Sequence, residues 1–140
     1  MGKPEEHNEM EHKRVITVQD ISCFGQCSIT VALPIISACG IETAILPSAV
    51  LSTHTGGFTG FAYRDLTDDM LPIMEHWKKE KILFDCLYTG YLGSAKHMEY
   101  VRKLRRELIR KDGLFIADPA MADNGELYIG FTPEYAAGMA

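Results

Sequence analysis

Among the four cysteines, Cys23, Cys27, Cys39 and Cys86, there is no Cys-x-x-Cys pair. The x3 spacing of Cys23 and Cys27 has no matching second ligand pair, which argues against zinc. Cysteines used this way read as reduced thiols in a cytoplasmic protein. Cys39 and Cys86 lie in apolar contexts and are expected in the core. Cys23 and Cys27 flank a Gly-containing loop and are expected within reach of solvent. The chain also lacks a run of 18 apolar residues, which leaves no candidate membrane span. Its first residues are polar and acidic, so no secretory signal is visible. A P-loop, a Gly-x-Gly-x-x-Gly fingerprint and a serine nucleophile elbow are all missing. The net charge of −5 argues against nucleic acid or an anionic membrane as partner.

What is present is the composition of an ordinary globular protein, 46% hydrophobic and 24% charged over 140 residues. That length suits one domain or part of one. Residues 1–13 carry four Glu and almost nothing apolar, and read as a disordered acidic tail. The folded portion is expected over 14–140. Strands are predicted near 14–19, 42–47, 82–88 and 114–118, from short β-branched and apolar runs. Ser28 to Ala38 reads as a helix kinked at Pro34 and stopped by Gly40. Thr67 is the predicted N-cap of a second helix, whose Met70, Ile73, Met74 and Trp77 fall on one stripe. Met98, Val101, Leu104 and Leu108 mark a third. Its many Arg and Lys read as a solvated face with Glu99–Lys103 and Glu107–Lys111 pairs. Leu51 to Phe61, rich in Gly, Thr and aromatics, reads as a flap or active-site loop. Thr132-Pro133-Glu134 starts a last, short helix with no following strand, as if the chain were cut inside a larger fold. The alternation predicts an α/β fold with a mostly parallel sheet flanked by helices.

Four loops follow strands, and in a parallel sheet they share one edge, where ligands bind. The first holds Gln19, Asp20, Ser22 and Cys23. The second is Ser52-Thr53-His54-Thr55-Gly56-Gly57, and the third Thr89-Gly90-Tyr91-Leu92-Gly93-Ser94. The fourth, after Leu114-Phe115-Ile116-Ala117, delivers Asp118 and, five residues on, Asp123. Two carboxylates there suit a hard cation such as Mg²⁺, which takes one or two protein acids beside phosphate oxygens. The same residues also suit an Asx-turn. A lone His54 is more often structural than catalytic, and Tyr91 alone more often a half-buried aromatic. It is the four equipped loops together that point to a site.

The segments Val18 to Gly25, Ser52 to Gly57, Thr89 to Ser94 and Asp118 to Gly125, in that order, resemble the pyridoxal kinases of the ribokinase superfamily. The resemblance runs from about Arg14 to the end of the chain, as the N-terminal portion of such an enzyme. It implies transfer of the γ-phosphate of ATP to the 5′-hydroxymethyl group of pyridoxal, pyridoxine or pyridoxamine. It also implies Mg²⁺, a cytoplasmic location and a homodimer. By resemblance, Asp20, His54, Thr55 and Tyr91 contact the vitamer. Asp20 stands where many members have a Ser near the pyridine ring. Asp118 and Asp123 match acids near the metal and the ATP phosphates, and Tyr128 a tyrosine of the phosphate-side loop. The family usually reads Asp-Pro-Val-Met-Gly-Asp, so Ala122 is strained if that Gly needs positive φ. The family's anion hole and catalytic base belong to a C-terminal half not matched in this chain, so no catalytic residue is assigned and the fragment is expected to be inactive alone. Two alternatives remain, a hydroxymethylpyrimidine kinase and a non-catalytic small-molecule-binding α/β module.

Overall fold

The computed structural model describes residues 12–128 and 131–139. Most of the acidic stretch read as a disordered tail, residues 1–11, lies outside them. At the centre is β1 (Arg14–Ser22), whose residues are buried almost without interruption. This is the pattern of a parallel strand covered on both faces. β2 (Glu42–Leu51) pairs with it on one side and β4 (Phe84–Thr89) on the other, both parallel. β5 (Ile109–Ala117) runs parallel to β4, while β3 (Tyr63–Asp65) is antiparallel on β2. The sheet order is β3-β2-β1-β4-β5. The expected α/β fold, a mostly parallel sheet flanked by helices, is the one observed.

β1, β2 and β5 run longer than the hydrophobic runs that predicted them, while β4 starts two residues later than its predicted run. Pro47 sits inside β2 rather than ending it, and the β1–β2 register shifts between Gln19 and Ile21. A residue without an N–H is tolerated in a sheet at such an irregularity. β5 begins at Ile109, but its register shifts widely before Leu114, so its regular part is the predicted run.

α1 (Ile29–Ala38) lies over β1 and β2. α2 (Thr67–Lys79) and α3 (Ala95–Leu108) pack on each other and on the opposite face. There Met70, Met74, Val101, Leu104 and Leu108 close on Ile16, Val18, Leu46 and Leu87 to form the core. α4 (Pro133–Met139) rests against α3 and brings Met139 onto that core.

Several expectations need correction. Cys39 is exposed, because it follows the last turn of a helix that leaves much of its own surface open; Cys86 is buried as expected. Thr67 is not the N-cap. That position is Leu66, and the Thr67 N–H is met by Asp65 Oδ1 at 2.7 Å. α3 stops at Leu108, so Lys111 belongs to β5 and makes no helical pair with Glu107. Lys103 turns to Glu75 of α2 (2.8 Å) and to Glu107 (3.4 Å) rather than to Glu99. Ala122 is not strained. It lies in the short strand β6 (Ala122–Asp123), paired with β7 (Glu126–Leu127), and the positive φ angles fall on Asn124 and Gly125 between them. Asn-Gly there is the strongest short-range signal for a two-residue hairpin.

Among the described residues no helix is long and apolar enough to cross a membrane.

Candidate active site

Because β1, β2, β4 and β5 are parallel, the segments after them emerge at one edge of the sheet. Asp20, Ser22, Cys27, Ser28, His54, Thr55, Tyr91 and Tyr128 line one cavity there, of about 110 Å³, room for a single small ring. All four chemically equipped segments contribute to it.

Asp20 is placed by the β-strand itself, not by a loop, since β1 continues to Ser22. Its side chain is 95% buried, with a relative exposure of 5%. Two hydroxyls donate to it, Ser22 Oγ at 2.9 Å and Ser28 Oγ at 2.5 Å. Ser28 stands at the N-cap of α1 but makes no side-chain capping bond, its hydroxyl turned to Asp20. Its φ of 54° lies in the left-handed region, which is strained for Ser. No ion pair to Asp20 exists among the described residues, so a buried carboxylate rests on two neutral donors. A buried charge without a counter-charge is costly unless a ligand supplies one.

The flap begins after β2 and is tied at its neck. Ser52 N–H donates to Ala62 O at 3.0 Å, and Ala62 N–H to Ser52 Oγ at 2.9 Å. Its aromatic side chains fold onto the β1–α1 loop: Phe58 lies edge-on to Phe24 and to His54, at 6.0 and 5.0 Å between ring centres. His54 accepts the Gly56 N–H on Nδ1, and its backbone N–H donates to Phe24 O. Its ring presses so closely on Gly25 (φ 100°) that a Cβ there would lie 2.1 Å from Cδ2. This glycine is therefore required by both contact and conformation. The chain continues into β3, whose Tyr63 lies within electrostatic reach of Tyr91 and Asp20. Burial of its hydroxyl, together with Tyr91, Asp65 and Asp20, pushes its pKa up to about 12. Tyr91 is also raised, by burial first and then by Asp20 and Asp65. Both phenols are thus kept as neutral donors. Tyr91 stacks on Phe131 at 5.5 Å.

The two later carboxylates are placed differently. Asp118 is exposed beyond β5, its N–H held by Thr89 O at 2.9 Å. It lines a neighbouring cavity of about 280 Å³ with Thr89, Leu92, Arg102, Arg105 and Phe115. Asp123 is exposed on the β6–β7 hairpin. Both lie within electrostatic reach of Tyr128, whose pKa is raised by burial and then by Asp123, Asp118 and Cys27. Tyr128 thus lines the cavity and also lies within reach of both acids. No group of three or more potential metal ligands is formed among the described residues. Two exposed acids fit a cation that brings phosphate oxygens and water with it.

Reading the sequence missed Ser28 and Tyr63. Ser28 is hidden by its reading as a helix start. Tyr63 follows a segment already rich in aromatics, the one signal that could have marked it.

No protein-family model matches the chain. A Schizosaccharomyces pombe protein provisionally named a pyridoxal kinase is 29% identical over 125 residues, covering 84% of this chain and 39% of its own. A Bacteroides thetaiotaomicron structure, provisionally named a phosphomethylpyrimidine kinase and solved with pyridoxal, is 42% identical. The match covers 92% of this chain and 45% of that one, with a TM-score of 0.87. The pyridoxal kinase of Lactobacillus plantarum is 32% identical over 91% of this chain and 45% of its own, with a TM-score of 0.82. The chain belongs to the pyridoxal kinase group of ribokinase-like proteins. It spans less than half the length of these relatives. In this pyridoxal kinase-like chain, the cavity at Asp20 and the exposed acids beyond β5 are two distinct places on one sheet edge.

Proposed function

We propose that the chain provides the vitamer pocket and the metal-side acids of a kinase. That kinase would phosphorylate the 5′-hydroxymethyl group of pyridoxal, pyridoxine or pyridoxamine with ATP. The observation that carries this reading is the buried Asp20 carboxylate, which has two neutral donors and no cation among the described residues. A protonated pyridine nitrogen supplies the missing charge through a charge-assisted hydrogen bond. His54, Thr55 and Tyr91 bound the rest of the ring. Asp118 and Asp123 hold Mg²⁺, which neutralises charge on the phosphates, with Tyr128 within reach of both acids. No described residue is assigned as catalytic base, and the 140-residue chain alone is expected to show only background phosphorylation. The working enzyme is cytoplasmic and a homodimer in this proposal.

A hydroxymethylpyrimidine is the rival ring, favoured by the name of the B. thetaiotaomicron relative; the pyridoxal in that same structure favours the vitamer. Calorimetric titration with pyridoxal, pyridoxine and hydroxymethylpyrimidine separates them. The proposal expects pyridoxal to bind and Asp20→Ala to abolish binding. Preference for the pyrimidine, or vitamer binding indifferent to Asp20, sinks it.

A further inference from the structure

His97 is the most deeply buried titratable side chain outside the cavity, 1% exposed at the start of α3. Gly93 N–H donates to its Nδ1 at 3.0 Å, and its Nε2 lies 2.6 Å from Thr67 Oγ1. An amide nitrogen can only donate, so Nδ1 must present its lone pair. In a neutral ring the proton is then on Nε2 and is given to Thr67 Oγ1. That leaves the Thr67 hydroxyl proton for Asp65, which also accepts the Thr67 N–H at 2.7 Å. The Thr67 hydroxyl and amide are the leading causes that hold the Asp65 carboxyl below its usual range. Every donor in the chain Gly93, His97, Thr67, Asp65 points the same way, toward the carboxylate at the end of β3.

The other end of the chain is the third loop. Residues 89–94 are pinned by Gly90 N–H to Val18 O and by the Tyr135 hydroxyl to Leu92 O, but Gly93 is held by His97. The two phenols of the site bound the space beside Gly93 at ordinary contact distance for a side chain. A Cβ added there would lie 3.4 Å from the Tyr91 hydroxyl and 3.5 Å from that of Tyr63. Gly93 follows Tyr91 by two residues and Thr67 follows Tyr63 by four, so the His97 bridge ties together the segments that carry the two phenols.

We infer that His97 is a positioning residue. As the Nε2–H tautomer it couples the third loop to α2 and β3, and so sets Tyr91 and Tyr63 relative to each other at the mouth of the ring cavity. The consequence for ring binding rests on the pyridoxal reading above; the loop restraint does not.

The test uses the isotope-labelled 140-residue chain. Long-range ¹H–¹⁵N spectra at neutral pH should show His97 neutral with the proton on Nε2. His97→Asn places an amide oxygen where Nδ1 accepts, and should keep Gly93 amide exchange slow and pyridoxal affinity within about threefold of wild type. His97→Gln puts its amide toward Thr67 instead, and should speed Gly93 exchange and weaken pyridoxal by about tenfold, one hydrogen bond's worth. A proton on Nδ1, or equal Gly93 exchange in wild type and both variants, overturns the inference. If no vitamer binds the wild-type chain, the function proposed above has failed. The tautomer and the Gly93 exchange still decide this one.

Discussion

The ring cavity and the acid loop beyond β5 occupy the same edge of the same sheet, yet they are built in opposite ways. Asp20 lies on a central strand, buried, with both its donors in place. Among its neighbours, His54 is pressed against Gly25, and Phe58 lies edge-on to Phe24. Asp118 and Asp123 stand in solvent, just past an edge strand and on a two-stranded hairpin. Leu114 and Ile116, which lead to Asp118, are 64% and 51% exposed, and with Val15, Cys86, Tyr88, Ile36 and Ile41 they line an open apolar groove. The difference teaches which half of the chemistry this stretch of chain organises by its own packing. The cavity at Asp20 is preformed, and the surroundings of the two exposed acids are not.

The strongest challenge to that contrast is Gly25→Ala. The left-handed backbone costs an Ala about 1–2 kcal/mol, and more at this φ. Displacing His54 adds overpacking of about 1–3 kcal/mol. Denaturant titration should show the combined loss, with pyridoxal affinity falling alongside it. A neutral result would mean that the flap is not clamped and the cavity not preformed.

Next in size is Asp20→Ser, which replaces the carboxylate by a neutral hydroxyl. Hydrogen bonds to charged groups are worth about 1.5–3 kcal/mol, so affinity for the protonated ring should fall by a corresponding factor, and the ratio of pyridoxal to pyridoxine binding should change. Unchanged ratios would remove the carboxylate from ring recognition.

These two residues also show how far the sequence could be read. The strands, the helices and their order were legible because hydrophobic periodicity is local and strong. Asp20 and Tyr91 were legible only through a motif order. The Asp20–Ser28 pairing was not, since it joins a strand to a helix start through a strained backbone that nothing in the local pattern announces. Thr67 was misread as a cap for the same reason. Its hydroxyl is claimed by His97, 30 residues away in sequence. Cys39 was misread because apolar neighbours suggest burial only where another layer covers the helix.

A smaller effect is expected from acid. Burial, and then Lys96, lower the His97 pKa below its usual 6.5, against Asp65, which acts to raise it. Lys96 is itself engaged by Asp68 of α2 and lies over the Tyr100 ring of α3. A His depressed in the folded state takes up its proton more readily when unfolded. Its contribution to stability is therefore complete above about pH 6.5 and declines as pH falls from there toward the folded pKa. Thermal melts from pH 7.5 downward should show that decline in the wild type, and a shallower one in His97→Asn. Equal slopes would place the acid sensitivity elsewhere.

The smallest effect on the fold should come from the acids themselves. Asp118 and Asp123 are exposed, and the two backbone hydrogen bonds at Asp118, its N–H to Thr89 O and the Ala120 N–H to its own O, survive truncation of the side chain. Surface substitutions of this kind are usually within about 0.5 kcal/mol of neutral. Asp118→Ala and Asp123→Ala, singly and together, should leave denaturant midpoints and pyridoxal affinity unchanged. What they should lose is the cation: calorimetric titration with Mg²⁺ and ADP should show weaker binding in each single variant and none in the double. The two halves of the edge would then be separable, one by Asp20→Ser and the other by the acid pair. If the double variant lost pyridoxal instead, the exposed loop would be part of the ring cavity and the contrast between the two regions would collapse. If Mg²⁺ binding were untouched, Asp118-Pro119 would be the turn its composition also allows, and the cation would have to be held elsewhere.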